Sequence, residues 1–589
     1  MKLCIAEKPS VARDLAHILG AHSKKEGFFE GNGYWVTWTF GHLCSLKEPE
    51  DYNPNWKQWR MEDLPIAPES FGIKVMADEG VQRQFKVIQS LVSQCSEVIN
   101  CGDAGQEGEL IQRWVLHLSG CKVPVKRLWI SSLTDEAIRE GFTKLKDAKE
   151  FDNLFAAGNS RAIGDWMLGI NGTRLYTKKY GQAKMTLSVG RVQTPTLAMI
   201  VHRQLEINAF QSEEYWELKT KYRDTEFLCQ IDRLKSEERA QKGLAYLKEK
   251  PFTITSFEQK EGKEGNPRLY DLTSLQVDGN KRYAFSADET LKHVQNLYEK
   301  KLVTYPRVDT TYLSEDLHPK IPNTLRGLRD YTRFTASLLE NPIPKSKSIF
   351  DNAKVTDHHA IIPTGISPSG ISPDEQKIYD LIARRFIAVF YPECKVSNTT
   401  VIGQVDQLHF KATGKQILAK GWRIVYEDLE TKTSKKEESE EKVLPLFTEG
   451  ESGEHEPFIH KGKTSPPKPY TEATLLRAME TAGKLVEDEE MRELMKENGI
   501  GRPSTRSSII ETLFKRRYIE KKKKNLIPTD TGIQLIQTIK NDLLKSPELT
   551  GQWEHKLRQM ERGNYDPKKF KEELFKMVRS LTDEVIFGH

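Results

Sequence analysis

Three carboxylates follow two short apolar runs that are typical of buried strands. Glu7 comes directly after the run 2–6, and Asp103 and Glu107 come after the run 97–101. Because the carboxyl ends of neighbouring parallel strands meet at one edge of a sheet, these side chains can share one crevice. Carboxylate oxygens suit Mg²⁺, which keeps several waters and takes phosphate as a partner. The pattern indicates a magnesium site; the alternative is a set of acids at helix starts that only complement the helix dipole.

A tyrosine and an arginine stand two positions apart in the segment 302–311. The hydroxyl of Tyr305 would be a nucleophile only beside a positive charge or a base, because a phenol has a pKa of about 10. Arg307 would grip a phosphodiester through two hydrogen bonds and stabilise the extra charge of its transition state. The alternative is a core tyrosine with Arg307 in a surface ion pair.

Three further segments contain polar groups that suit phosphate. The segment 188–193 offers a hydroxyl, a glycine and an arginine where a helix begins, although an ordinary helix cap has the same composition. At His358, phosphate binding or proton transfer is favoured over zinc because no cysteine or third histidine follows at ligand spacing. The segment 499–505 opens a helix that is followed by the lysines 521–524, which indicates either a nucleic-acid backbone contact or a solvated charge run.

The length indicates about four domains, and the order of strand and helix patterns indicates a discontinuous, arch-like arrangement of them. The N-terminal part alternates strand, loop and helix, which predicts a parallel α/β sheet. Two strand-rich stretches, which we expect to form one layer, are separated by a mainly helical stretch that carries Tyr305. The segment 427–441 is highly charged and predicts an exposed linker or hairpin tip. The predicted domains are 1–148, 149–211 with 468–589, 212–272 with 395–467, and 273–394.

The composition limits the class of protein. With 589 residues, of which 37% are hydrophobic, the chain is neither disordered nor collagen-like. No run reaches about 18 apolar residues, so we expect no transmembrane helix and no membrane partner. Seven scattered cysteines without a Cys-x-x-Cys motif predict reduced cytosolic thiols and no zinc site. The net charge of +5 is weak evidence for nucleic acid.

Together and in this order, the motifs closely resemble those of the type IA DNA topoisomerases of the topoisomerase III branch, over nearly the full length of the chain. The Thr-Tyr-Pro-Arg element at 304–307 and the Ser-x-Gly-Arg-Val-Gln element at 188–193 are the most specific. The matching stretches are 5–10, 40–42, 59–60, 64–65, 103–110, 165–174, 188–195, 268–272, 304–313, 358–364 and 499–505.

The resemblance implies a fold and a reaction. The fold would be a multidomain α/β plus α and β architecture, with an N-terminal Toprim domain and a discontinuous four-domain toroidal core. Tyr305 would attack one DNA strand, form a 5′-phosphotyrosyl bond and leave a free 3′-hydroxyl. Another strand or duplex would then pass before the break is resealed. Negative supercoils would be relaxed and DNA decatenated without ATP, in keeping with the absence of a Gly-x-x-x-x-Gly-Lys-Ser/Thr loop.

The resemblance also implies roles for single residues. Arg307 would hold the scissile phosphate, helped by Lys8 and His358. Glu7 would exchange a proton with the 3′-oxygen. The Mg²⁺ ligands would be Glu7, Asp103 and Glu107. The positions that match those lining the single-strand path are Arg60, Asp165, Arg174, Ser188, Val189, Gly190, Arg191, Val192, Gln193 and Arg307.

The implied partner is DNA, chiefly its single-stranded segments, and a helicase is a candidate partner that the sequence does not identify. The resemblance favours a monomer in the cytoplasm, associated with the nucleoid. Two residues depart from the family pattern. Gly105 stands in place of a second aspartate, and Gln106 stands where arginine is usual, which removes one positive charge from beside the phosphate.

Two alternatives stay open at this point. A Toprim-bearing nuclease or primase would share Glu7 and Asp103 but would not need Tyr305 together with the segment 188–193. A non-catalytic single-strand-binding relative would have lost its activity through Gly105 and Gln106. The intact pair of Tyr305 and its neighbouring arginine argues against the second alternative.

Overall fold

The structure is a computed structural model that describes residues 1–181, 185–355, 357–429, 441–485 and 499–588. The segment predicted to be a linker or hairpin tip, 427–441, lies mostly outside the described residues. Among the described helices, none is both long and apolar enough to span a membrane.

The first layer is a seven-stranded sheet with helices on both faces. Its strands, with the separate pair β5 and β6, are β1 (Lys2–Ala6), β2 (Ser23–Lys25), β3 (Phe28–Gly31), β4 (Tyr34–Trp38), β5 (Cys44–Leu46), β6 (Ile73–Val75), β7 (Glu97–Cys101), β8 (Val125–Arg127) and β9 (Lys146–Asp147). Its helices are α1 (Pro9–Leu19), α2 (Pro49–Tyr52), α3 (Glu79–Val92), α4 (Gln106–Leu118) and α5 (Asp135–Thr143).

The strand order of this sheet is β2-β3-β4-β1-β7-β8-β9, and β1 runs parallel to both β4 and β7. Leu3 and Ile5 pack in the core with α3 and α4, whereas Cys4 and Ala6 pack in the core with α1 and α5. Both faces of the central strand are therefore buried, as is usual for parallel strands. Because Ala6 pairs with Cys101, the residues that follow β1 and β7 leave the sheet at one edge.

Two long helices follow, α6 (Asp152–Tyr180) and α7 (Gln193–Ala209). A second seven-stranded sheet then combines stretches that lie far apart in the sequence, in the order β15-β12-β13-β14-β11-β10-β16. Its elements are β10 (Glu214–Tyr222), β11 (Thr225–Cys229), α8 (Glu237–Lys248), β12 (Phe252–Glu264), β13 (Cys394–Val405), β14 (Leu408–Ala419), β15 (Ser452–Gly453) and β16 (Glu456–Lys463). The sheet is antiparallel throughout the pairs that β12 and β13 make with their neighbours.

The helical part between β12 and β13 carries Tyr305 on an irregular segment after its second helix. Its helices are α9 (Leu272–Tyr283), α10 (Ala287–Glu299), α11 (Ile321–Gly327), α12 (Thr332–Leu339) and α13 (Pro373–Ala388). Capping boxes at Ser286 and Ser372 fix the starts of α10 and α13. The core of this part is continuous with the α1 side of the first sheet, so the tyrosine segment packs directly against that layer.

The C-terminal part is helical, with one hairpin. Its elements are α14 (Glu472–Glu480), α15 (Pro503–Lys515), β17 (Ile519–Lys522), β18 (Asn525–Pro528), α16 (Asp530–Thr538), α17 (Asp542–Lys545), α18 (Glu548–Glu561) and α19 (Pro567–Phe587). These helices share one core with α6 and α7, although about 260 residues separate the two stretches in the chain. The predicted fold class, an α/β layer followed by discontinuous β-rich and helical parts, is confirmed. The first sheet is mixed and not wholly parallel, because β3 pairs antiparallel with β2 and β4, and β9 pairs antiparallel with β8.

Candidate active site

Glu7 and Asp103 meet at the edge where β1 and β7 end. The backbone N–H of Asp103 donates a hydrogen bond to Glu7 Oε2 over 3.0 Å. Burial and the charge of Asp103 raise the pKa of Glu7 to about 7. Burial also raises the pKa of Asp103, against the lowering effect of Lys8 and Arg307. The structure thus brings this predicted pair together, and at neutral pH Glu7 is suited both to give and to take a proton.

The loop between β7 and α4 requires glycine at two positions. A Cβ at Gly108 would lie 2.1 Å from the carbonyl oxygen of Asp103, so a side chain there would push the aspartate out of place. Gly105 has a φ of +158°, which L side chains rarely adopt. The backbone at this position therefore favours glycine over the second aspartate of the family pattern, although a Cβ there would meet no other atom within 4 Å.

Glu107 is hydrogen-bonded to His42 and not to Glu7 or Asp103. Its Oε1 lies 2.5 Å from His42 Nε2, and this contact lowers the pKa of Glu107. Within the described ranges, no three His, Cys, Asp or Glu side chains stand close enough together to hold a metal ion. The inclusion of Glu107 in a three-carboxylate metal site stays a prediction.

Glu7 and Asp103 by themselves fit a hard divalent cation. Both offer carboxylate oxygens, and the charge of Asp103 is one cause of the raised pKa of Glu7. A cation between them would relieve this repulsion. Because Mg²⁺ is commonly held by one or two carboxylates together with water and a substrate phosphate, the donors in place suit Mg²⁺ completed by phosphate.

Tyr305 is buried where the tyrosine segment packs against the first layer. Its backbone N–H donates to the carbonyl of Ser131 over 2.9 Å. Its ring centroid lies 4.4 Å from that of His358, and Tyr298 stands edge-on to it at 5.5 Å. Burial and two nearby carboxylates raise the pKa of Tyr305 well above its usual value, and Arg307 opposes this rise. The phenol is therefore neutral at rest, and added positive charge is needed to favour the phenolate.

His358 is a neutral histidine that joins Tyr305 to the β7–α4 loop. Its Nε2 contacts the carbonyl oxygen of Ala104, and its Nδ1 lies 2.7 Å from Ser131 Oγ. Because a carbonyl oxygen only accepts, Nε2 carries the hydrogen and Nδ1 accepts from the serine hydroxyl. Burial lowers the pKa of His358 to about 3. Both ring nitrogens thus have protein partners, and the ring holds Tyr305 and the loop in position.

Lys8 forms an ion pair that the sequence analysis missed. Its Nζ lies 2.6 Å from Glu299 Oε1 at the end of α10, and Gln295 donates to the same oxygen over 3.2 Å. The only sequence signal for Glu299 is an acid six residues before the tyrosine. Since its partner is 291 positions away, no local pattern reveals the pair.

A cleft of about 440 Å³ opens over the tyrosine. It brings four of the predicted site residues together with residues at the start of α15. The lining residues that matter here are Glu107, Tyr305, Arg307, His358, Arg161, Arg502 and Thr505. The cleft therefore has the predicted nucleophile and phosphate-binding arginine on one side and two further arginines on another.

These further arginines belong to a buried network centred on Glu554 of α18. Arg161 and Arg191 donate to its two carboxylate oxygens over 2.6 and 2.9 Å. Although burial alone would raise the pKa of Glu554, the neighbouring arginines hold it well below the usual value. Glu554 was not identified from the sequence. Its spacing of seven residues from Glu561 puts both acids on one helix face, which was the available signal.

The network reaches the first layer through Gln106. The Oε1 of Gln106 accepts a hydrogen bond from Arg161, and its Nε2 donates to Glu561 over 2.7 Å. Glu561 also accepts from Arg502 over 3.0 Å. An arginine at position 106 would add a cation beside Arg161, so the neutral amide, which donates and accepts, is adapted to this network.

In the segment 188–193, the first three backbone N–H groups already have partners. They donate to the hydroxyl oxygens of Tyr518, Thr173 and Thr194 over 2.7–3.1 Å. Arg191 Nε donates to Asp165 over 3.0 Å, Val192 is buried, and Gln193 begins α7. A phosphate that binds here would therefore meet side chains rather than these N–H groups.

Arg60 and Arg174 are the other two residues predicted to contact a single strand. Arg60 precedes α3 and Arg174 lies on α6, and the two are close in space because Arg174 packs on the ring of Trp59. Arg174 donates to the carbonyl of Trp56 over 2.5 Å, and its guanidinium lies 5.3 Å from the ring of Trp59. Arg60 is half-exposed and pairs with Asp63 over 3.0 Å. The structure leaves Arg60 accessible and fixes Arg174 in place.

Comparisons with known proteins agree with this geometry. A Toprim domain family model matches residues 2–133, and a family model described as DNA topoisomerase matches residues 149–572. Proteins named DNA topoisomerase 3 from Bacillus licheniformis and Bacillus subtilis are each 40% identical to this chain. The matches cover 99% and 95% of this chain and 81% and 78% of the two relatives.

A solved structure also resembles the chain. Full-length topoisomerase I from Thermotoga maritima aligns with a TM-score of 0.74 and 22% identity, over 99% of this chain and 90% of that one. At this identity the likeness concerns the fold alone.

Replacing Glu554 by glutamine should destabilise the protein by about 3–5 kcal/mol, because buried arginines would lose their counter-charge. The measurement is the urea midpoint of unfolding. Glu573→Gln is the matched control, since that carboxylate pairs with Lys556 over 2.6 Å in a half-exposed setting. The control should cost less than about 1 kcal/mol. Equal shifts for the two variants would contradict the role of Glu554.

Proposed function

Because the chain belongs to the type IA DNA topoisomerase family, we propose that Tyr305 is the nucleophile with which it opens DNA. The enzyme cleaves one strand through a 5′-phosphotyrosyl intermediate, passes a strand through the break and reseals it. It needs no ATP, since the tyrosyl ester keeps the energy of the broken phosphodiester. Relaxation of negative supercoils and decatenation are the results of this cycle.

The observation that carries the assignment is the place of Tyr305 in the cleft. It is the tyrosine that lines the cleft together with Arg307 and His358. The ring of His358, which contacts the ring of Tyr305, also contacts the carbonyl oxygen of Ala104, so the predicted nucleophile stands beside the loop that carries Asp103. These groups come from two parts of the chain that pack in one core.

In the proposed reaction, the phenol of Tyr305 releases its proton to solvent, and its oxygen attacks phosphorus while the bond from phosphorus to the 3′-oxygen breaks. On resealing, the departing phenolate takes a proton from solvent. Arg307 binds the phosphate, and its positive charge lowers the pKa of the phenol. Glu7, with a pKa of about 7, gives its proton to the leaving 3′-oxygen and takes it back when the 3′-hydroxyl reseals the strand. Lys8 adjoins Glu7 and assists with the phosphate, and His358 positions the tyrosine ring.

The Toprim domain is a metal-binding domain, and we assign Mg²⁺ to Glu7 and Asp103, with Glu107 as a further ligand. The ion would supply positive charge that holds the phosphate and the 3′-hydroxyl together for resealing. The oxygen-only donors and their mutual repulsion support this choice.

The substrate we propose is a single-stranded segment of DNA. It would follow a path past Arg60, Arg174, Asp165 and the side chains of 188–193. Two of these residues, Arg191 and Asp165, form an ion pair at the Glu554 network, which supports a fixed path next to the cleft. We further propose that the enzyme acts as a monomer in the cytoplasm, on DNA that a helicase can open.

The proposed domain boundaries are those predicted from the sequence, namely 1–148, 149–211 with 468–589, 212–272 with 395–467, and 273–394. The two family matches, which change over between 133 and 149, support the first boundary. The shared core of α6 and α7 with the C-terminal helices supports the second domain. The second sheet, which joins β10–β12 to β13–β16, supports the third.

The two alternative functions have less support. A nuclease or primase would share the Toprim domain alone, whereas the topoisomerase family match extends through residues 149–572. A non-catalytic single-strand-binding protein would not need Tyr305 and Arg307 together in one cleft.

Tyr305→Phe should abolish both relaxation of a negatively supercoiled plasmid and the covalent adduct at the 5′ end of the break, because the attacking oxygen is lost. Denaturing gels of labelled oligonucleotide measure the adduct. Tyr298→Phe is the matched control: this ring is also buried and contacts the ring of Tyr305, but it has no proposed chemical role. Plasmid relaxation by Tyr305→Phe would show that the nucleophile is wrong.

Asp103→Asn should weaken Mg²⁺ binding, because it removes one of two paired carboxylates. We expect the Mg²⁺ concentration for half-maximal relaxation to rise by about 10-fold or more. Calorimetric titration of the DNA-free enzyme with Mg²⁺ gives a readout independent of activity. Asp135→Asn removes an exposed acid of α5 that pairs with Lys301 and should change neither value. An unchanged Mg²⁺ affinity in Asp103→Asn would exclude this residue as a ligand.

A further inference from the structure

The end of α15 and the hairpin of β17 and β18 form a strongly basic surface outside the cleft. We call it the basic wing, and it consists of the exposed side chains of Lys515, Arg516, Arg517, Lys521, Lys522, Lys523 and Lys524. Glu520 is the one exposed acid within the stretch 515–524. The proposed cleavage reaction does not use any of these residues.

Most of this charge is not neutralised by the protein. Lys521 pairs with Glu472 over 3.2 Å, and Lys522 pairs with Glu520 over 3.0 Å. In the described part of the chain, the remaining five cations of the wing have no carboxylate within ion-pair distance. A concentrated, unpaired positive charge of this kind attracts a polyanion.

The backbone of the wing is held in conformations that its side chains do not favour. Lys523 has a φ of +56° in the two-residue turn between the paired residues Lys522 and Asn525. Arg517, at the end of α15, has a φ of +57°. Glycine or asparagine is favoured at such positions, and other residues adopt them at a cost in conformational energy. Neither side chain gains burial in return.

The wing is rigidly attached to the site. Tyr518, which lies at its base, is fully buried, accepts a hydrogen bond from the N–H of Ser188 and donates one to the carbonyl of Thr186. The other end of the same helix, α15, lines the cleft with Ser504 and Thr505. Thirteen helical residues span about 20 Å, so the wing stands about that far from the cleft.

The chemistry of the wing favours duplex over single-stranded DNA. Single strands are commonly held by aromatic side chains on which the bases stack. The exposed side chains of the stretch 515–524 include no aromatic ring, because Tyr518 is buried. A duplex carries one negative charge per about 1.7 Å of its axis, which suits a surface that offers charge alone.

We propose that the basic wing binds the phosphates of the DNA duplex that adjoins the single-stranded segment in the cleft. The proposal rests on the proposed function, since it assumes that a single strand occupies the cleft. The distance of about 20 Å corresponds to about six base pairs at about 3.4 Å each. The wing would thus hold the enzyme at junctions between single-stranded and duplex DNA.

The test uses a variant of the full chain with Lys522→Gln, Lys523→Gly and Lys524→Gln. Glycine suits the positive φ at 523, so we expect the melting temperature to stay within about 2 °C of wild type. The control variant, Lys235→Gln with Lys242→Gln and Lys248→Gln, removes three exposed lysines at and beside α8. Each protein is titrated with a labelled single-stranded oligonucleotide and with the same strand flanked by duplex.

The wing variant should bind the duplex-flanked DNA at least about 10-fold more weakly at 0.1 M salt. The slope of log affinity against log salt concentration should become shallower by up to about 2.7, because each lost phosphate contact changes it by about 0.9. Binding of the bare strand, and the yield of covalent adduct on it, should equal those of wild type. The control variant should match wild type on both DNAs.

An equal loss of affinity for both DNAs would assign the wing to the single-strand path, and no loss for either would leave it a solvated charge run. Both results would overturn the proposal. If the first variant fails to fold, Arg516→Gln with Arg517→Gly tests the same surface from the helix side. Failure of the proposed function gives a different result, namely a wild-type enzyme that forms no covalent adduct with the bare strand.

Discussion

A single buried carboxylate holds one wall of the active-site cleft together. Glu554 binds Arg161 of α6 and Arg191 from the segment before α7, and Arg502 precedes α15 close by. Removing a charge from water costs several kcal/mol unless it is paired, so the buried carboxylate and its arginines favour the arrangement in which these segments meet. The arginines beside the cleft are therefore in place before DNA arrives, and binding does not have to order them.

The opposite wall is held by an apolar core and, among the described residues, by polar contacts without a buried charge network. The tyrosine segment meets the first layer through the N–H of Tyr305, the ring of His358 and the partly exposed pair of Lys8 with Glu299. Partly exposed ion pairs contribute only about 0–1 kcal/mol each. In the proposed reaction, strand passage requires the tyrosine and the 3′-hydroxyl to separate. Separation on this side would break these contacts and open the apolar core that the two parts share, whereas separation at Glu554 would expose several buried charges.

The part of the site that follows from strand order was predictable. Glu7 and Asp103 meet because residues after adjacent parallel strands share an edge, a rule that needs no knowledge of side-chain packing. Glu107, in the first turn of α4, bonds with His42 instead, and nothing in the local pattern indicates this. Glu554 and Arg191 are 363 positions apart. Contacts between residues so far apart in the sequence depend on how whole domains pack. Hydrophobic periodicity and motif spacing carry no information about that packing.

The net charge of +5 conceals two kinds of positive charge. The positive charges of Arg191 and Arg502 in the cleft wall are neutralised by the carboxylates of Asp165, Glu554 and Glu561. These arginines therefore offer hydrogen-bond donors in fixed directions but little net positive potential. In the basic wing, only Lys521 and Lys522 pair with carboxylates of the described residues, and the side chains lie on an open surface. Long-range attraction of DNA depends on uncompensated positive charge, whereas the selection of one reacting phosphate depends on the geometry of the donors around it. These two properties can therefore lie on separate surfaces of the protein. A chain of low net charge can thus attract DNA and still position one phosphate accurately.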